Sequence, residues 1–133
     1  MKSILVVLVL VSSFLFAGVK TVNVSPELVE SGIKIIDIRT KGEWEQTGIV
    51  KNSIPITFFD IHGKYDVEKF LNVLSSYVSK SEEFALICRT GNRTTAVSDF
   101  LGKNGYKVIN LKGGVKRLTQ QGYKLTKYIN KNR

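Results

Sequence analysis

The stretch that most constrains this chain is an unbroken apolar run, Phe84-Ala85-Leu86-Ile87. It ends on the only cysteine, Cys88, and passes through Arg89-Thr90-Gly91-Asn92-Arg93 into Thr94-Thr95 and a helical pattern. A short run with no polar alternation suits a strand covered on both faces, and a strand that feeds directly into a helix belongs to a strand-helix alternation. The flanking sequence continues that alternation. Residues 22–24 form a short strand, and Ser25-Pro26-Glu27 supplies a cap, a first-turn proline and an acid for a helix that stops at Gly32. Residues 34–38 and 53–56 are further strands, and 57–66 is a loop carrying Phe58, Phe59 and His62. Asp66 caps a helix whose apolar stripe is Val67, Phe70, Leu71, Leu74, Tyr77 and Val78. Ala96, Val97, Phe100 and Leu101 form the apolar face of the helix after the cysteine, which ends by Gly105; 106–111 is a strand, and Gly113-Gly114 opens a last short helix. The expected fold class is α/β, one domain with a mainly parallel central sheet flanked by helices on both faces.

Parallel sheets place their sites at the carboxyl ends of the strands, where Cys88, Arg39 and Gly113-Gly114 all fall. The cysteine loop has the layout of an anion cradle. Gly91 allows a tight curl with N–H groups turned inward, the following helix adds its positive end, and Arg89 and Arg93 add charge. These surroundings favour a thiolate at Cys88. The plain alternative is a small core hydrophobe at the end of a strand, since free cysteines are commonly buried. Two arginines, a glycine and a helix start within five positions favour the reactive reading. For Asp37 and Arg39 the leading expectation is a pair that fastens the next loop, with anion attraction by Arg39 as the alternative. Trp44 is expected in the core, Glu43 and Glu45 on a short helix, and His62 in an exposed turn.

Cys88-Arg89-Thr90-Gly91-Asn92-Arg93-Thr94 resembles the active-site loop of rhodanese-type sulfurtransferases. Ile35-Ile36-Asp37-Ile38-Arg39 with Glu43-Trp44, Gly48-Ile49 with Ile54-Pro55, Leu111-Lys112-Gly113-Gly114-Val115, and Gly122-Tyr123 resemble other elements of that family in the same order. The likeness spans about residues 20–125. No histidine follows Gly48, and Leu118 stands where the family usually has tryptophan. The resemblance implies a single rhodanese-like domain in which Cys88 attacks a sulfane sulfur, becomes a persulfide and passes the sulfur to a thiol or cyanide. Arg89, Thr90, Gly91, Asn92, Arg93 and Arg39 would bind the anionic donor, such as thiosulfate or polysulfide, without metal or organic cofactor. Related-looking loops in phosphatases are C-x5-R, whereas Cys88 to Arg93 is C-x4-R, a smaller ring suited to one sulfur rather than a phosphoryl group. Asp60 and Asp66 lie in a loop of the type that could hold a general acid, but spacing alone gives them little support. The alternative functions are a persulfide carrier with little small-molecule turnover and an inert scaffold with a buried Cys88.

Residues 1–17 carry Lys2 and then an interrupted apolar run ending at Ala17, the pattern of a secretory signal peptide without a clear cleavage site. Periplasmic export follows as an expectation, with membrane attachment only if that segment is retained. One cysteine cannot form an internal disulfide, and one Cys with one His excludes a conventional Cys/His metal site. The formal charge is +9, and nine Lys or Arg but no acid follow Asp99. The leading reading of that excess is a solvated surface and tail; the functional alternatives are steering of small anions, or contact with an acidic partner or a membrane surface, and nucleic acid is not expected in that compartment. An exported acceptor protein enters as the partner of the carrier alternative. Residues 126–133 are expected as a basic tail outside the domain at 20–125.

Overall fold

The computed structural model describes residues 18–131. The expected signal segment, 1–17, lies outside these residues. Strands β1 (Val19–Asn23), β2 (Ile35–Asp37), β3 (Ile54–Pro55), β4 (Glu83–Ile87) and β5 (Lys107–Lys112) form one five-stranded sheet in the order β1-β5-β4-β2-β3. Every pairing is parallel, with Ile36 opposite both Leu86 and Ile54, and Phe84 opposite Val108. The helices are α1 (Pro26–Val29), α2 (Lys41–Thr47), α3 (Val67–Leu74), α4 (Asn92–Lys103) and α5 (Gly114–Gln120).

Alternate residues of β4 serve different layers, which explains why its run has no polar position. Phe84 and Leu86 join Ile36, Val108, the α3 residues Phe70 and Leu74, and the α4 residues Val97 and Leu101 on one face. Ala85 and Ile87 join Ile35, Ile109, Val29 of α1, and Val115 and Leu118 of α5 on the other. Leu118, standing where the family usually has tryptophan, is fully buried there. Caps are local and legible: Ser25 and Asp66 accept from Leu28 N and Lys69 N, and Thr40 and Glu43 form a reciprocal capping box at α2.

Two expectations need correction. Tyr77 does not belong to the buried stripe of α3. The helix ends at Leu74, the Ser75 hydroxyl donates back to the Asn72 carbonyl, and a tight turn returns Val78 to the core while leaving Tyr77 46% exposed. The C-terminal segment is also more than a tail. Ile49 and Thr126 exchange backbone hydrogen bonds at 2.8 Å, and the Tyr128 ring packs 5.4 Å from that of Trp44. The packed unit therefore extends beyond residue 125, because an apolar patch around buried Trp44 needs a cover that α2 alone does not supply.

Candidate active site

The carboxyl ends of β2, β4 and β5 bring three sequence elements together. Cys88 follows β4 directly, with Arg89 and Thr90 exposed beyond it. Gly91, at φ 100°, turns the chain into α4. Its N–H donates to Cys88 Sγ at 3.2 Å, and Thr94 Oγ1 lies 3.6 Å from the same sulfur. Gly91 therefore meets a conformational demand that L side chains rarely accept while directing an amide at the sulfur. A threonine at the start of a helix is a natural candidate for its cap. Instead the Thr94 and Thr95 hydroxyls both donate to the Gly91 carbonyl, at 3.1 and 2.7 Å, and Gly91 itself occupies the cap position. These bonds secure the loop from inside α4. Asn110 Nδ2, on buried β5, extends the arrangement by donating to Thr95 Oγ1.

The loop rests on the start of α5. Val115 N donates to Cys88 O and Lys116 N to Arg89 O, both at 3.0 Å. Orphan amides of a helix start thus take up the two carbonyls that the curling loop turns away from the sheet. Gly114, at φ 60°, makes the approach possible, since a Cβ there would overlap the carbonyl oxygens of Cys88 and Arg89. The L-x-G-G element is in this sense a seat for the cysteine loop.

Two of the three arginines expected at an anion site, Arg39 and Arg93, have other partners. Arg39 is 1% exposed, and Nε and Nη2 bond Asp37 while Nη1 bonds Thr47 Oγ1 and Nη2 also bonds the Gly48 carbonyl. Its guanidinium is fully engaged inside the protein, so the geometry matches the fastening role and corrects the anion-binding assignment. Gly48 takes part through its carbonyl; a Cβ on it would overlap the Thr126 carbonyl oxygen. Arg93 makes a two-pronged pair with Glu43, Nη1 to Oε1 at 2.6 Å and Nη2 to Oε2 at 2.8 Å. The hydrogen bonds from Arg93 hold the Glu43 carboxyl at about 2, well below its ordinary 4.5, against the opposing effect of burial. The same pair raises the already high Arg93 pKa. Glu43 thus links the capping box of α2 to the cysteine loop, a role that a separation of fifty residues hides from sequence inspection.

Cys88 itself is 1% exposed and packs with the core face that holds Leu86 and Val97. It combines features of both sequence readings: a buried sulfur at a strand end, and a sulfur that accepts a backbone hydrogen bond beside a helix start. Asn92 is exposed at the beginning of α4, His62 lies in an exposed turn, and Asp60 and Asp66 accept local backbone hydrogen bonds.

A model of the rhodanese-like domain family matches residues 25–121. The Arabidopsis thaliana "Rhodanese-like domain-containing protein 17" is 27% identical, over 70% of this chain and 62% of that protein. The Bacillus subtilis (strain 168) "Putative sulfurtransferase YtwF" is 28% identical, over 61% of this chain and 68% of that protein. A rhodanese-like domain protein from Staphylococcus aureus has the same fold, with a TM-score of 0.58, 24% identity, and coverage of 80% of this chain and 98% of its own. With a family match running from the cap of α1 to the end of α5 and enclosing the whole cysteine loop, the chain belongs to the rhodanese-like domain family.

Proposed function

We propose that the protein is a sulfurtransferase that carries sulfane sulfur on Cys88. The observation that carries this reading is the Gly91 N–H directed at Sγ from 3.2 Å, at the start of a twelve-residue helix. A helix start and an inward amide stabilise negative charge, first on the thiolate and then on the outer sulfur of a persulfide. With thiosulfate, Cys88 Sγ attacks the outer sulfur, an S–S bond forms, the bond to the sulfonate sulfur breaks, and sulfite leaves with the electron pair. An acceptor thiolate, or cyanide, then attacks the outer sulfur, and Cys88 departs as thiolate. Every step is a two-electron displacement, and the cycle needs no external oxidant. Exposed Arg89 and Thr90 meet the incoming donor, and Gly91 and Asn92 shape the loop. Arg93 acts through its Glu43 pair by holding the loop in place.

Sulfur transfer from thiosulfate or polysulfide to cyanide should show ping-pong kinetics and disappear in Cys88→Ser. Transfer that survives this substitution refutes the assignment. A carrier role is favoured by one observation, the 1% exposure of Cys88, which limits attack on small donors from solution. A stable added sulfur without steady-state turnover identifies that case. The N-terminal apolar segment supports export to the periplasm as part of the proposal. Detection of the protein in the cytoplasmic fraction alone would remove that part.

A further inference from the structure

Within the described residues, the acids near the mouth of the site are already paired. Asp37 bonds buried Arg39, Glu43 bonds Arg93, and Glu45 lies 3.8 Å from Lys41. On the α5 side the balance is different. Arg89 is exposed in the loop, Lys112 ends β5, and Lys116 and Arg117 lie on the first turns of α5, all exposed and without a side-chain partner among the described residues. Local contacts place the segments that carry these four side by side. Lys116 N bonds Arg89 O, the Lys112 backbone packs on Gly91, and the Arg117 stem lies over Gly113.

We propose that this rim docks an acidic segment of a partner protein flanking the thiol that takes sulfur from Cys88. This rests on the sulfurtransferase reading and adds the class of acceptor to it. A small dianion entering the loop meets the Gly91 amide and Arg89, and does not need three further cations distributed along a strand end and a helix. Four exposed positive charges on one side of the sulfur match an extended anionic ligand approaching from the α5 side. In the transfer itself the partner thiolate attacks the outer sulfur of the Cys88 persulfide. The bond to Sγ breaks, Cys88 leaves as thiolate, and the partner holds the persulfide.

Binding can be tested without the chemistry. A fluorescent peptide with one serine flanked by aspartates and glutamates is titrated against Cys88→Ala protein, beside a peptide flanked by glutamines. The acidic peptide should bind more tightly and weaken with salt, and Lys112→Gln/Lys116→Gln should weaken it by about three- to tenfold. Lys51→Gln/Lys107→Gln, at the opposite end of the sheet, should leave binding within about twofold of the parent. Equal binding of both peptides, or equal loss in the two double variants, overturns the proposal and assigns the effect to overall charge. Tighter binding to phosphatidylserine vesicles than to the acidic peptide also overturns it, in favour of a membrane surface. In the second arm the peptides carry cysteine and the protein is pre-loaded with polysulfide. The transfer rate to the acidic peptide relative to mercaptoethanol should fall in Lys112→Gln/Lys116→Gln, and an unchanged ratio counts against the rim. Failure to load sulfur refutes the sulfurtransferase reading alone, and the peptide titration still decides the rim.

Discussion

Replacing Glu43 with glutamine removes the charge that holds Arg93 while keeping a side chain able to complete the capping box. Lowering Glu43 from its ordinary 4.5 to about 2 corresponds to an upper bound of about 3 kcal/mol. Both side chains are 27% exposed, so solvent screening reduces the expected contribution to about 1–2 kcal/mol. Because the folded-state pKa is depressed, this stabilisation is fully present above about pH 4.5 and is lost as pH falls toward 2. Urea unfolding of parent and Glu43→Gln proteins at pH 7 should therefore differ by about 1–2 kcal/mol, with the gap shrinking at pH 3 and below. Donor turnover should fall with it, because Arg93 loses the partner that fixes the end of the cysteine loop. A difference under about 0.5 kcal/mol at pH 7, or one that does not change with pH, refutes the reasoning about this pair.

Gly114→Ala should cost about 3 kcal/mol or more and perturb thiol labelling of Cys88, since a left-handed backbone and an overlap with two carbonyl oxygens act together; an unchanged urea midpoint would show that the loop does not rest on α5. Arg39→Leu leaves the Asp37 carboxylate buried without its cation and should lose about 3–5 kcal/mol. A stable Arg39→Leu protein with a raised KM for donor would restore Arg39 as an anion receptor. Ending the chain at Tyr123 removes Leu125, the Thr126 pairing and the cover on Trp44, and should lower stability by about 2–3 kcal/mol in the same assay. No loss there would make the C-terminal segment a tail after all.

The fold was legible wherever one local signal decided the outcome. The 84–87 run, too short for a helix and without polar alternation, suited a doubly covered strand, the caps at Ser25 and Asp66 started their helices, and Gly113-Gly114 opened the last one. The cysteine loop stood out because Cys88, Gly91 and Arg93 lie within six positions. What sequence could not show are pairings set by tertiary geometry. Arg93 looked available because its partner Glu43 is distant in the chain, whereas the Asp37–Arg39 pair was legible from its spacing and only the depth of its burial was not. Asn110 did carry a faint signal, a polar amide inside the apolar run of β5, and it proved to support Thr95. The docking of Thr126 on Ile49 had none, since one isolated bridge leaves no periodicity.

The central claim is that Cys88 accepts and releases one sulfane sulfur. Intact-mass measurement of the purified protein after exposure to thiosulfate or polysulfide, followed by addition of cyanide, tests it in one sequence. The expected result is a gain of one sulfur atom in the parent, loss of that gain on adding cyanide with formation of thiocyanate, and no gain in Cys88→Ser. An unchanged parent mass, or equal sulfur uptake by Cys88→Ser, contradicts it.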